Sequence, residues 1–260
     1  MILRVIQMNA DRAAYIVAVG ELIKFKEITE PMICYQYNNS PKDVIIILGT
    51  EPAANLLKLE EIPEDVKLFR STKGHNILGR EGSRVITFSK GTLNLSIMTP
   101  KNTDIKTILT NHSLAVIKVC RKYGINAFQE GNDIKFHHNG YNRKFSGIIA
   151  HTYENGITYG IMISFDINIE LMKKVYNFTH KKFANKETPE EMEKYIGCLH
   201  DINPDLDIYE TVEEIYREFA DLCEFEYTPS EFTDEELSII LRQQQLLDND
   251  SWVYDGIYPE

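Results

Sequence analysis

The residues best suited to chemistry in this chain lie in one short stretch. Asn132-Asp133-Ile134 is followed by Asn139-Gly140-Tyr141-Asn142-Arg143-Lys144-Phe145-Ser146-Gly147. The spacing predicts a strand, a tight turn and a returning strand, because Asn-Gly suits a two-residue hairpin turn whose central positions both take positive φ. Lys144 then opens an otherwise apolar strand containing Phe145, Ile148 and Ile149. An ammonium buried there alone would be costly, so the side chain must reach outward to water or meet an anion. A solvent-facing turn lysine is the plainer alternative.

Other familiar site chemistries are missing. A phosphate-binding loop needs GxxxxGK[ST] and a dinucleotide fold needs GxGxxG between a strand and a helix; neither occurs. There is no GxSxG elbow, HExxH helix or EF-hand loop. His137 and His138 would point to opposite sides of a strand, so they cannot chelate one ion together. Acidic pairs such as Glu190-Glu191 and Glu213-Glu214 fall in helical segments, where a solvated face is the ordinary outcome. Cys34, Cys120, Cys198 and Cys223 are far apart and form no CxxC pair, which suits reduced thiols. None of the four lies in the strands expected around Lys144.

The elements that must position Lys144 follow from periodicity. Ala10 to Phe25 carries apolar residues at helical spacing, and Thr103 to Tyr123 does so again before stopping at Gly124. Between them, Ile33 to Tyr37, Val44 to Leu48, Val66 to Phe69, Val85 to Phe88 and Leu93 to Met98 are short β-rich runs separated by turn residues. Ile134 to His138, Phe145 to Ala150 and Ile157 to Phe165 should form successive hairpins, with turns at Asn139-Gly140 and Asn155-Gly156. Helices are expected near Ile169 to Tyr176, Tyr209 to Cys223 and Thr233 to Leu247, the last opened by Thr233-Asp234-Glu235-Glu236. Strands early and helices late imply an α+β architecture, read as one domain over residues 1–260 because no repeat or long linker intervenes.

Composition narrows the partners. The 260 residues include 28 Lys plus Arg against 39 Asp plus Glu, a formal charge of −11 that opposes attraction to nucleic acid or anionic membranes. The longest strongly apolar run, Val44 to Leu48, is far too short to cross a bilayer. Met1 to Gln7 lacks the features of a secretory signal, so a cytoplasmic location is expected.

Taken in order, these residues resemble the lipoate-protein ligases. That family's pattern is an Asn-Asp pair, a strand, a Gly-containing turn, Arg-Lys and Ser-Gly, matched by Asn132-Asp133 and Arg143-Lys144-Phe145-Ser146-Gly147. Phe88-Ser89-Lys90-Gly91-Thr92-Leu93-Asn94-Leu95-Ser96 is similar to its strand ending in Gly-Asn-Leu-Asn-Phe-Ser, and Gly160 matches a glycine in the strand Ile157 to Phe165. Ser251-Trp252-Val253-Tyr254-Asp255-Gly256-Ile257-Tyr258-Pro259 resembles the Ser-Trp-aromatic-Gly-Pro stretch closing the catalytic domain; independently, Trp252 would pin that segment into the core. The family's compact Arg-Arg-x-Ser-Gly-Gly-Gly loop is replaced by the longer, more basic Phe69 to Arg84. In it Arg70 keeps its place after a strand, and Gly74, Gly79 and Gly82 would let backbone N–H groups approach an anion.

The resemblance implies mixed β-sheets packed with helices, a biotin/lipoate protein ligase-like catalytic domain without the C-terminal accessory domain. It implies ATP-dependent attachment of lipoate, or a related medium-chain acid, to a lysine of a lipoyl domain or glycine-cleavage H-protein through an acyl-adenylate. Lys144 would neutralise charge at the carboxylate and α-phosphate. Arg70, Gly74, Gly79, Gly82, Gly91, Asn132, Asp133, Ser146, Gly147 and Gly160 would line the substrate and nucleotide sites, with Asp133 also meeting magnesium. A separate accessory subunit would replace the missing domain, unless a preformed activated acyl group is used. The rivals are an octanoyl or lipoyl acyltransferase of the same fold, with or without a reactive cysteine, and a non-catalytic relative that binds a lipoyl domain. Biotin ligation fits the matched residues less well.

Overall fold

The computed structural model describes residues 1–8, 19, 22–38, 42–48, 51–71, 85–180, 188–247 and 249–257. Its main sheet has eight strands in the order β11-β1-β2-β6-β10-β9-β8-β7. These are β1 (Ile2–Gln7), β2 (Met32–Tyr37), β6 (Thr92–Thr99), β7 (Ala127–Glu130), β8 (Asp133–His138), β9 (Tyr141–Tyr153), β10 (Gly156–Ser164) and β11 (Glu226–Pro229). A second sheet of β3 (Val44–Leu48), β4 (Lys67–Ser71) and β5 (Val85–Phe88) runs β4-β3-β5. The α+β expectation holds. One feature departs from strands-then-helices: β11 follows two long helices and joins β1 in parallel, Ile2 opposite Glu226. Such pairings link distant stretches of chain and leave no local signal.

Besides the helical residues 22–25, the α-helices are α1 (Ala53–Leu56), α2 (Ile105–Lys122), α3 (Ile169–Val175), α4 (Met192–Tyr195), α5 (Ile208–Leu222) and α6 (Asp234–Leu247) among the described residues. The helix expected from Ala10 to Phe25 lies mostly outside the described residues. Helix α2 starts where the Asp104 carboxylate accepts from the Lys106 N–H at 3.1 Å and stops at Gly124, whose φ of 81° suits glycine. Its apolar stripe and that of α5 cover one face of the main sheet, burying Val116, Cys120, Ile215 and Phe219 against Leu95, Ile161 and Ile163. On the opposite face, β3–β5, α6 and Trp252 cover β1, β2 and β6.

Two ends of α6 show how local chemistry fixes the outer layer. Thr233 and Glu236 form the expected capping box, with the Thr233 N–H donating to Glu236 at 2.9 Å and the Glu236 N–H donating back to Thr233 at 3.2 Å. The same carboxylate, 1% exposed, takes two hydrogen bonds from Arg4 at 2.9 and 3.0 Å. Past the helix, Trp252 is fully buried and donates from Nε1 to the Arg70 carbonyl at 3.2 Å.

Both expected hairpins form, with one correction. Asn139 and Gly140 take φ of 49° and 81°, as a two-residue turn requires. The other turn is made by Glu154 and Asn155, while Gly156 already pairs with Tyr153 in the sheet. Glycine is needed at 156 for space: a Cβ there would sit 2.7 Å from the Thr99 carbonyl oxygen.

Candidate functional site

The described residues cover the face of the main sheet opposite α2 and α5 only in part. Under β3–β5 and α6, Met32, Cys34 and Met98 are fully or nearly fully buried. Moving along the same face, Gly160 on the central strand β10 is exposed, and a Cβ built on it meets only the Ile149 carbonyl oxygen, at 4.0 Å. An exposed residue in the middle of an eight-stranded sheet marks an open floor. Gly147 and Ile149 on β9, opposite Met162 and Gly160, continue that floor toward β8.

Lys144 stands at the end of this floor because the hairpin is irregular. Ile134 pairs with Ser146, yet Lys135 pairs with Lys144, leaving Phe145 as an extra residue in β9. In a regular strand Lys144 would share the buried face of Ser146 and Ile148. The bulge sends both Phe145 and Ser146 to the α2–α5 side and turns Lys144 to the side of Asp133 and Gly147. There its ammonium lies 2.7 Å from Asp133 Oδ1, both side chains being about a third exposed (39% and 34%). Gly147 provides the room: a Cβ on it would be 2.9 Å from Lys144 Nζ and 3.3 Å from Asp133 Oδ1. The lysine therefore meets an anion, one of the two outcomes its sequence setting allowed.

Lys144, Asp133, Gly147 and Gly160 thus share one open face. The remaining residues lie elsewhere. Ser146 points to the opposite side, where its Oγ is buried without a hydrogen-bond partner among the described residues. Asn132 is an exposed turn residue whose carbonyl accepts from the Ile148 N–H at 3.1 Å. With Thr103, Asp104, Lys106, Gln129 and Ile148 it borders a cleft of about 620 Å³ on the helix side, away from Lys144. Gly91 has a φ of 89°, and a Cβ there would come within 2.5 Å of the Asp166 Cβ, so this glycine seats β6 against the end of β10. Gly74, Gly79 and Gly82 lie outside the described residues.

Arg70 is turned inward. It is fully buried, donating from Nε to the Val253 carbonyl at 3.0 Å and from a terminal nitrogen to the Glu51 carbonyl at 2.8 Å, with its guanidinium over the Trp252 ring. Burial lowers its pKa to about 10. Its visible partners make it the anchor of the Ser251–Asp255 turn. Arg70 lies inside β4 rather than after a strand, and its sequence setting gave no sign of these partners, because the carbonyls it serves come from residues some twenty and 180 positions away.

Comparison with known proteins places the chain. The model of the lipoyl protein ligase A/B catalytic domain matches residues 29–220. The chain belongs to this family. A bipartite lipoate protein ligase from Thermoplasma acidophilum, described with its E2 lipoyl domain, is similar over 100% of this chain and 99% of its own, with a TM-score of 0.82 at 16% identity. A lipoate-protein ligase A solved with ATP matches 99% of this chain and 100% of its own (TM-score 0.77, 16% identity). A T. acidophilum protein solved with lipoic acid covers 98% of this chain and 100% of its own (TM-score 0.76, 15% identity). These likenesses establish a shared fold. No curated protein sequence matches.

Within this lipoyl ligase fold, two features escaped the sequence. Gly197, in the loop after α4, donates its N–H to the Lys144 carbonyl at 2.9 Å, and Ile196 bridges Lys144 in parallel. Cys198 follows directly, so a cysteine comes close to the Lys144 strand, although, as expected, none lies in the strands around Lys144. Its thiol is buried, and burial together with Asp201 and Asp166 pushes its pKa far up. Burial likewise raises Cys34 strongly and Cys120 to about 12, and it raises Cys223. These environments all oppose a thiolate.

Among the described residues, Asp133 is the carboxylate beside Lys144. Among the described residues there is no cluster of three or more His, Cys, Asp or Glu side chains able to hold a metal. Asp133 alone fits the sparse protein ligation magnesium uses when substrate phosphates supply the other oxygens. Again among the described residues, no helix is long and apolar enough to cross a membrane.

Proposed function

We propose that the protein activates lipoate, or a related medium-chain acid, with ATP and transfers the acyl group to a lysine of an acceptor lipoyl domain or H-protein. The observation carrying this reading is the Lys144 ammonium at the rim of an open sheet floor, held by Asp133 and given room by Gly147. A carboxylate does not acylate an amine at neutral pH until one of its oxygens becomes part of a leaving group. In the first step a carboxylate oxygen bonds the α-phosphorus of ATP and the bond to pyrophosphate breaks. Lys144 neutralises the negative charge gathering where carboxylate and α-phosphate meet, a preorganised electrostatic role. Asp133 would be the carboxylate to hold magnesium, which when bound would supply Lewis-acid stabilisation of phosphate charge. In the second step the acceptor amine attacks the acyl carbon, AMP departs, and the amine loses a proton as the amide forms.

The acyl chain would lie along the floor at Gly147, Ile149 and Gly160, where exposed Gly160 leaves open space above the sheet. The glycine-bearing segment through Gly74, Gly79 and Gly82, outside the described residues, would be the one to bind phosphate. Cysteine-dependent acyl transfer is disfavoured by the raised thiols. A separate polypeptide would serve as accessory subunit if the isolated chain adenylates poorly.

The test incubates the protein with ATP, magnesium, lipoate and an apo lipoyl domain and weighs the acceptor by mass spectrometry. A mass gain of one lipoyl group is expected, and Lys144→Ala should reduce it on the order of 10²- to 10³-fold without loss of fold. Undiminished turnover in that variant removes Lys144 from the mechanism. Absence of any mass gain, even with added cell fractions, points to a binding protein.

A further inference from the structure

We propose that Gly197 is a positioning residue for Lys144, acting through the backbone of β9; the proposal deepens the ligase reading above and rests on it. Past Ser146, which pairs with Ile163, β10 no longer covers that edge of β9. On the other edge, the bulge at Phe145 interrupts the ladder to β8 at just this point. The backbone that carries Lys144 is therefore the least supported part of the hairpin. The segment Ile196–Gly197 fills the gap, with Ile196 bridging Lys144 and the Gly197 N–H donating to the Lys144 carbonyl at 2.9 Å.

Only glycine permits this approach. A Cβ at 197 would sit 2.6 Å from Phe136 Cζ and 2.8 Å from Arg143 Cβ. Phe136 is 1% exposed and its ring stacks on Phe145 at 5.7 Å, so it has no room to retreat. Arg143 Cβ belongs to the residue preceding Lys144, so pushing it away displaces the strand itself. The segment is also fixed from both ends. Met192 of α4 is fully buried with Leu171 and Met172, and the Cys198 N–H donates to Asp201 at 3.0 Å while Arg143 reaches the same carboxylate at 3.4 Å. A side chain at 197 must therefore be absorbed at β9. The ammonium then drifts from Asp133, and misplacements near 1 Å at a reacting centre can cost on the order of 10²-fold.

The experiment measures, by calorimetry, the affinity of the full chain for a non-hydrolysable lipoyl-adenylate analogue in wild type, Gly197→Ala, Lys144→Ala and the double variant. Gly197→Ala should weaken binding at least tenfold in the wild-type background and less than twofold in the Lys144→Ala background, because its effect passes through that side chain. Equal losses on both backgrounds, or no loss with a folded variant, overturn the proposal. Should Gly197→Ala fail to fold, amide exchange of Gly197 in the wild-type chain decides. It should slow when the analogue binds, and less so in Lys144→Ala; unchanged exchange overturns the proposal. A wild-type chain that does not bind the analogue removes the ligase reading as well, whereas binding with additive losses removes this inference alone.

Discussion

One face of the main sheet serves two opposite purposes. Over β1, β2 and β6 it is sealed: Cys34 and Met98 are fully buried beneath the second sheet, and Trp252 closes the edge. Over β8, β9 and β10 it is open, floored by glycines and ending at a lysine–aspartate pair. The sealed half gains stability from apolar burial, and its charged groups are tied to one another, as Arg4 and Lys26 are to Glu236. The open half gives up that burial, and what it gains is a cation that a ligand's negative charge can reach. Stability and chemistry are thus separated along a single sheet by whether the neighbouring layer extends over it.

Mutations should respect that division. Trp252→Ala in the sealed half leaves a large cavity and removes the partner of the Arg70 carbonyl, so denaturant unfolding should show a loss of about 3–5 kcal/mol. An equally stable variant would mean that the layer is not held there. Glu236 sharpens the contrast through pH. Burial alone would raise its carboxyl, but Arg4, the Thr233 N–H and Lys26 more than offset this and hold it at about 2. Because the folded value lies below the unfolded one, the contribution is complete above about 4.5 and is lost as pH falls from there toward 2. It amounts to roughly 3 kcal/mol. Glu236→Gln should flatten that part of the stability profile, and an unchanged slope would assign acid lability elsewhere.

His112 on α2 acts in a higher window. Full burial against Phe219 lowers its pKa to about 4, so stability should fall as pH drops from about 6.5 to 4, where the unfolded chain binds the proton more readily. His112→Leu should remove that slope; its persistence would discount the histidine. In the open half, Gly147→Ala should leave the melting temperature within a few degrees while slowing acyl-adenylate formation about tenfold, by crowding Lys144 Nζ. Full activity would show that the ammonium works from another position.

What the sequence disclosed was whatever depends on neighbours along the chain. Asn139-Gly140, the capping box of Thr233 and Glu236, and the stop at Gly124 each encode their geometry within a few residues, and each forms as read. The ordered motifs around Lys144 disclosed the family. Contacts between distant stretches stayed hidden: β11 against β1, Arg70 on the carbonyls of Glu51 and Val253, and Ile196–Gly197 beside Lys144. Ser146, named only through the family resemblance, lies on the other side of the sheet from Lys144 for a local reason. It follows Lys144 by two, which in a regular strand means the same face, and only the Phe145 bulge separates them. The one local trace of Gly197 was a glycine between Ile196 and Cys198, too common a setting to single out.

That bulge makes the lysine's direction a matter of parity. Deleting Phe145 would make Lys144 and Ser146 immediate neighbours opposite Lys135 and Ile134, and regular alternation would still send them to opposite faces, so the ammonium would keep its side while the helix side lost an aromatic ring. A two-residue insertion at the hairpin tip would likewise lengthen the arm without altering which way the charge points. Replacing the bulge by regular pairing with all residues kept is the change that would turn the charge inward, since Lys144 and Ser146 would then stand two positions apart on one face.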